Sequence, residues 1–251
     1  LKMILYPNAK INIGLNVLKK RNDSYHDISS VFYPIHNLYD ILEVIPSSKF
    51  SFACSGIPTS KKNNICIKAY EILNQDFDVG NVNIHLDKRI PVGAGLGGGS
   101  SDASFLLKAL NILFNLKMSK NQLNEYAKKI GADCPFFIDN TPKHVTGVGD
   151  IMNNLDLNLS GYDIKFTFPE ISISTAEAYK NIIPKDSENN LMQYIREPIS
   201  KWKGNITNDF EELVFKNHPS LKKLKKEIYS NGAIYASMTG SGSVLYGLFN
   251  K

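Results

Sequence analysis

The chain has 251 residues, 43% of them hydrophobic and 21% charged, and its 29 Lys+Arg against 24 Asp+Glu leave a net charge of +5. That length suits one large domain or two small ones around a sizeable core, and so mild a basic excess fits anionic substrates without demanding a nucleic-acid partner. Cys54, Cys66 and Cys134 show neither paired spacing nor a metal-ligand pattern with the histidines, which points to a reduced, intracellular protein.

No signal-peptide core opens the chain and no apolar run reaches transmembrane length. The expected location is cytoplasmic, or an organelle stroma if a transit peptide has been removed, with no membrane partner. Along the chain, Ile11, Ile13, Leu15 and Val17 alternate with Lys10, Asn12, Gly14 and Asn16, predicting a strand with one core face and one polar face. Short strands are predicted at Val31–Tyr33, Ile41–Ile45 and Phe50–Cys54, then a helix over Asn64–Leu73 and an alternating strand over 82–88. A glycine-rich run follows, then a helix carrying Ala103, Leu106, Leu107, Leu110, Leu113 and Phe114 on one face. Ser119 and Gln122 form a capping-box signature for a helix through Ile130.

The Asn- and Gly-rich passage Asn153–Gly161 is the expected domain junction, dividing the chain into 1–155 and 156–251. Beyond it come Ile164–Phe168, then predicted helices over Thr175–Ile182, Glu188–Ile195, Thr207–Phe215 and Leu221–Tyr229. Short strands over Ala233–Met238 and Val244–Phe249 flank a Thr239-Gly-Ser-Gly242 turn. The basic run Lys222-Lys223-Leu224-Lys225-Lys226 reads as a solvated helix face rather than an RNA or membrane patch. The pattern is α+β in two lobes.

Pro91-Val92-Gly93-Ala94-Gly95-Leu96-Gly97-Gly98-Gly99-Ser100-Ser101-Asp102-Ala103 is the most informative stretch. Glycines let backbone N–H groups approach a ligand closely, and a helix start adds unpaired donors and a partial positive charge, a combination suited to a polyphosphate. It is not a Walker A loop, since no Lys-Ser/Thr follows the last glycine, and it is a poor dinucleotide fingerprint. A flexible loop is the plain alternative, but an alternating strand and an amphipathic helix anchor both ends.

The same stretch resembles the phosphate loop of the GHMP kinases. The resemblance extends to Pro7-Asn8-Ala9-Lys10-Ile11-Asn12, Arg21-Asn22-Asp23-Ser24-Tyr25-His26, Ile130-Gly131-Ala132-Asp133-Cys134-Pro135-Phe136-Phe137 and, more weakly, Met238-Thr239-Gly240-Ser241-Gly242. These segments span nearly the whole chain in family order. The resemblance implies a two-lobed fold, with an N-terminal ATP-binding α/β lobe and a C-terminal ferredoxin-like α+β lobe. It also implies ATP-dependent phosphorylation of an alcohol. Within the family the pattern is similar to that of the kinases acting on the 2-hydroxyl of a diphosphocytidyl-linked methylerythritol in non-mevalonate isoprenoid synthesis. The alternatives are a homoserine- or mevalonate-type kinase, or a non-catalytic ATP-binding regulator.

Carried over residue by residue, the resemblance makes Asp133 the general base and Lys10 its electrostatic partner. From spacing alone, Asp133 reads as a helix-terminating Asp in a turn and Lys10 as an ordinary lysine on a solvated strand face. Pro91, Gly93, Ala94, Gly95, Leu96, Gly97, Gly98, Gly99, Ser100 and Ser101 would cradle phosphates, with Asn64, Ile65 and Lys88 on the ATP side. Tyr25 and Tyr179 would sandwich a cytosine whose edge His26 reads; Tyr179 departs from the commoner Phe but keeps the ring face. Without the family, Tyr25-His26 is a turn. Asn12, Phe32, Thr175, Gly240 and Ser241 complete the implied substrate set. ATP is expected with Mg²⁺, held mostly by water and phosphate oxygens, since no carboxylate cluster is dedicated to it. The expected partner is a cytidine diphosphate-linked sugar alcohol, with the chain a monomer or weak homodimer.

Overall fold

The computed structural model describes residues 2–60, 64–185 and 191–251. In chain order the elements are β1 (Met3–Leu5), β2 (Asn8–Lys20), β3 (His26–Tyr39), β4 (Ile41–Pro46), β5 (Ser51–Gly56), α1 (Ile65–Asp76), β6 (Val82–Lys88), α2 (Gly98–Leu113), α3 (Lys120–Ile130) and α4 (Cys134–Asp139). They continue with β7 (Lys143–Thr146), β8 (Ile151–Asn154), β9 (Tyr162–Thr167), α5 (Thr175–Asn181), α6 (Leu191–Tyr194), α7 (Phe210–Asn217), α8 (Pro219–Ser230), β10 (Tyr235–Met238) and β11 (Leu245–Asn250), with a 3-10 turn at Ile199–Lys201.

Packing divides the chain into two units. One comprises Leu1–Lys10, Pro34–Val92 and Gly97–Thr141, the other Ile11–Tyr33, Gly93–Leu96 and Pro142–Lys251. This division is not the sequential one expected at 155/156, because the long strands β2 and β3 contribute residues to both units.

In the first unit a sheet of order β1-β4-β6-β5 is antiparallel except for the parallel β5–β6 pair. The alternation in β6 buries Val82, Ile84 and Leu86, which join Leu42 and Val44 of β4 and Leu106, Leu107 and Leu110 of α2 in one core. Each such side chain contributes about 1.5–3 kcal/mol when fully buried. Helix α3 starts with the expected capping box, Ser119 and Gln122 each bonding the other's backbone N–H. Asn64 caps α1 by accepting the Cys66 N–H at 2.9 Å.

In the second unit an antiparallel sheet of order β10-β11-β9 packs with α7 and α8 around Phe210, Val214, Leu221, Met238 and Leu245. A further sheet runs β2-β3-β7-β8. The alternation in β2 holds, but its polar face is buried as well: Asn8, Lys10 and Asn12 are as enclosed as the isoleucines. They are tolerated because each has a polar partner. Of the helix predicted over Glu188–Ile195, the positions up to 190 lie outside the described residues, and Leu191–Tyr194 is a short helix. The basic run lies on α8, where Lys223 and Lys225 pair with Glu227 and Glu211.

Candidate active site

Lys10 lies near the start of β2 in the first unit. Its side chain is 4% exposed and its Nζ stands 3.5 Å from Oδ2 of Asp133, which is 33% exposed. The carboxylate is available because of the local chain path. Helix α3 ends at Gly131, a tight turn follows, and Asp133 stands at the N-cap of α4 without spending its side chain on a cap bond. Ser104 Oγ lies 2.8 Å from the backbone oxygens of both Ser100 and Cys134, which share its one proton, tying the first turns of α2 to the residue after Asp133. Lys68 Nζ holds the Ile130 carbonyl at 2.9 Å on the other side of the turn. The neighbouring thiol is inert: burial pushes the Cys134 pKa up to about 11.

The glycine run forms the N-terminus of α2. Gly97 is its N-cap at φ 70° with no side-chain cap bond, so the first N–H groups of the helix are left to bind something else. A Cβ on Gly97 would stand 3.0 Å from Lys10 Cγ and 2.9 Å from Phe137 Cζ, so only glycine lets the run pass this close to the lysine stem. Ile65 lies beside Gly99, its Cγ2 3.5 Å from where a Cβ would be. The Ser101 Oγ is fully buried with no hydrogen-bond partner. Gly95, counted in the second unit, presses on the Thr239-Gly240 backbone, and Thr239 Oγ1 donates to its carbonyl at 3.0 Å.

A cavity of about 590 Å³ in the second unit is lined by Lys20, Tyr25, His26, Val148, Thr175, Tyr179 and Lys180, among others. Tyr25 is 65% exposed, whereas His26 is buried and its ring lies 5.4 Å from that of Tyr179 at an interplanar angle of 31°. The Tyr179 ring is held from behind by an edge contact with Phe210 at 4.9 Å. Burial, then the charge of Lys20, lowers the His26 pKa. Thr175 and Ser241 share a hydroxyl hydrogen bond at 2.8 Å. One open aromatic ring, one fixed ring, a neutral imidazole and two lysines suit a flat, polar-edged base carrying negative charge.

Comparison with known proteins agrees with this chemistry. The family described as GHMP kinases N terminal domain matches residues 64–140, and that described as GHMP kinases C terminal matches residues 191–251. A 4-diphosphocytidyl-2-C-methyl-D-erythritol kinase of Azobacteroides pseudotrichonymphae genomovar. CFP2 is 48% identical, over 99% of this chain and 94% of that protein. The chain belongs to the GHMP kinases. The crystal structure of a 4-(cytidine 5'-diphospho)-2C-methyl-D-erythritol kinase superposes at TM-score 0.83 with 30% identity, covering 98% of this GHMP kinase and 90% of that chain. A homoserine kinase from Cytophaga hutchinsonii ATCC 33406 superposes at TM-score 0.71 with 17% identity, over 98% and 86% of the two chains, and so shares the fold alone.

Within this GHMP kinase the first unit brings together Lys10, Asp133, Gly97, Gly98, Gly99, Ser100, Ser101 and Ile65, and the second holds Tyr25, His26, Thr175 and Tyr179 around one cavity. Other expected residues have different engagements. Asn64 spends its side-chain oxygen on the α1 cap, Asn12 Nδ2 donates to Ser30 Oγ at 2.9 Å, and Phe32 is 3% exposed. The Lys88 ammonium is held by Asp40 and Asp102. Sequence reading missed Ser104, Asn208 and Asp40. Asn208 Nδ2 donates to the Met238 and Gly240 carbonyls, both at 2.8 Å, and fixes the turn opposite Gly95. No local pattern marks such residues, since their partners are far away in the chain. Among the described residues no group of three or more His, Cys, Asp or Glu is placed to hold a metal.

Proposed function

We propose that this GHMP kinase transfers the γ-phosphoryl group of ATP to the 2-hydroxyl of 4-diphosphocytidyl-2-C-methyl-D-erythritol, a step of non-mevalonate isoprenoid precursor synthesis. The observation that carries the reading is the Lys10–Asp133 pair, a lysine and a non-capping carboxylate 3.5 Å apart. The cavity lined by Tyr25, His26 and Tyr179 supports the substrate assignment, because neither homoserine nor mevalonate carries a ring to stack.

Asp133 takes the proton of the acceptor hydroxyl as its oxygen attacks the γ-phosphorus in line. The bond from that phosphorus to the β,γ-bridging oxygen breaks, and ADP leaves with the electron pair. Lys10 faces the charge that grows on the transferred group. The open N–H groups at the start of α2 and the unpartnered Ser101 hydroxyl offer donors to phosphate oxygens. That donor set fits a polyphosphate. Mg²⁺ bound to the phosphates of ATP would neutralise part of their charge, and no residue of this chain is assigned to it. Tyr25 and Tyr179 hold the cytosine between their faces and neutral His26 reads its edge. Thr175 and Ser241 serve the diphosphate side, and Ile65 the adenine side together with Asn64, whose backbone is what remains for it, since its side chain caps α1.

No described helix is long and apolar enough to cross a membrane. We assign the chain to the cytoplasm as a monomer or weak homodimer acting on a small molecule. The test is magnesium-dependent ADP release with the diphosphocytidyl substrate, with mevalonate and with homoserine. Stimulation by the first alone is expected. Stimulation by either of the others overturns the substrate, and ATP binding without turnover on any of them returns the chain to a regulator's role.

A further inference from the structure

Three deeply buried charges of the first unit have no part in the phosphoryl transfer described above. Asp40, Lys88 and Asp102 are 0%, 4% and 1% exposed. Lys88 Nζ donates to Asp102 Oδ2 at 2.8 Å and, in a shorter contact, to Asp40 Oδ2. The other oxygen of Asp40 accepts the backbone N–H groups of Arg89 at 2.6 Å and Ile90 at 2.8 Å, the two residues that lead into Pro91 and the glycine run. Asp102 stands in the first turns of α2, where that run ends. The ammonium also lies against Gly98, where a Cβ would come within 2.8 Å of Nζ and 2.9 Å of Ile90 Cγ2. One ammonium therefore touches both ends of the loop, the strand exit through Asp40 and the helix start through Asp102 and Gly98.

Two buried carboxylates against one ammonium make an expensive arrangement, and such a cluster is weak support for folding in itself. Asp102 shows the strain of the count. Its Oδ1 is buried without a partner, and burial raises its pKa well above the ordinary value, with Lys88 offsetting only part of the rise. For Lys88, burial works against the charge, but the two carboxylates outweigh it and hold its pKa above the ordinary lysine value. What the cluster does accomplish is geometric. A loop rich in glycine has many conformations, and its N–H groups bind a polyphosphate tightly only if their spacing is set beforehand.

We propose that Asp40, Lys88 and Asp102 form a buried clamp that fixes the separation of the two ends of the glycine loop and so sets its affinity for the triphosphate of ATP. Lys88 acts on the nucleotide through the loop, as a positioning residue. The inference rests on the reading of the loop as the phosphate cradle.

The test compares ATP with adenosine binding to the full chain by calorimetry, for the wild type and for Asp102→Ala, Asp102→Asn and Gly98→Ala. Asp102→Ala removes one jaw of the clamp. Asp102→Asn keeps its shape and an oxygen for Lys88. Gly98→Ala pushes the ammonium aside at a helical position that alanine otherwise favours, so it remains informative if Asp102→Ala fails to fold. Expected is a rise of about tenfold or more in the Kd for ATP in Asp102→Ala and Gly98→Ala, with adenosine binding unchanged and Asp102→Asn close to wild type. Folded Asp102→Ala and Gly98→Ala proteins that bind ATP as the wild type does overturn the clamp. So does an equal loss for ATP and adenosine, which marks a merely structural cluster. Wild-type protein that binds ATP no better than adenosine overturns the cradle itself, a separate outcome.

Discussion

Asn8 and Asn140 exchange side-chain amide hydrogen bonds, Asn8 Nδ2 to Asn140 Oδ1 at 3.1 Å and Asn140 Nδ2 to Asn8 Oδ1 at 2.7 Å. One stands two residues before Lys10 and the other just beyond α4, whose N-cap is Asp133. The amide pair thus ties together the two elements that carry the lysine and the carboxylate. Replacing Asn140 by alanine takes the Asn140 donor from buried Asn8 Oδ1, while Asn8 Nδ2 keeps the Ala9 carbonyl at 2.9 Å, at a cost of about 1–3 kcal/mol. The substitution also removes a residue suited to the left-handed φ of 55° found there. The expected outcome is a lower Tm together with a fall in kcat, while KM for ATP changes little. Thermal melts and steady-state ADP release check both; an unchanged kcat would separate the amide pair from the placement of Asp133.

Asp133→Asn keeps the size and position of the side chain but cannot take the hydroxyl proton. Turnover is expected to fall by about 10²–10⁴. ATP affinity by calorimetry should stay near wild type, because the loop donors are untouched. Turnover within a factor of two of wild type would remove Asp133 from the role of base.

The parts of this molecule legible in its sequence are those set by local rules. The capping box at Ser119 and Gln122 and the glycine run between an alternating strand and a helix appear in the structure as read. What was illegible depends on distant partners. Helix α7 begins at Phe210 rather than Thr207, because Asn208 turns its amide to the Met238 and Gly240 carbonyls and its oxygen to the Phe210 N–H. Strand β8, Ile151–Asn154, has no apolar alternation of its own and exists through its pairing with β7. Strand β3 runs through Pro34, where local rules predicted only Val31–Tyr33. The site shows the same division: Lys10 and Asp133 lie far apart in sequence, and spacing alone left each with an ordinary surface role.

Tyr179 is held by two ring contacts, with His26 at a centroid separation of 5.4 Å and with Phe210 in a T-shaped pair at 4.9 Å. Its loss should therefore be felt as lost stacking rather than lost mobility. Tyr179→Ala is expected to weaken binding of the diphosphocytidyl substrate by about 1–3 kcal/mol. Tyr179→Phe should retain nearly all of the affinity, since the ring face is what stacks. Binding titrations with substrate and, separately, with ATP read the difference. A loss confined to ATP would take Tyr179 out of the base cavity.

His26 gives the pH dependence its sign. Burial and the charge of Lys20 hold its pKa below the usual 6.5, so the folded chain takes up the imidazole proton at lower pH than the unfolded chain does. Between 6.5 and that lowered value the unfolded state binds more protons, and stability falls as the pH drops through the window. Substrate binding follows the folded value: KM for the diphosphocytidyl substrate should be flat above pH 6.5 and rise only at lower pH, once His26 becomes a cation and loses its acceptor nitrogen. Lys20→Met removes the charge that assists the lowering, so the rise should begin at higher pH in that variant. KM profiles between about pH 5 and 8, where an unperturbed histidine titrates, measure the shift. A profile that does not move in Lys20→Met, or that vanishes in neither His26→Asn nor His26→Gln, would assign the acid limb to another group.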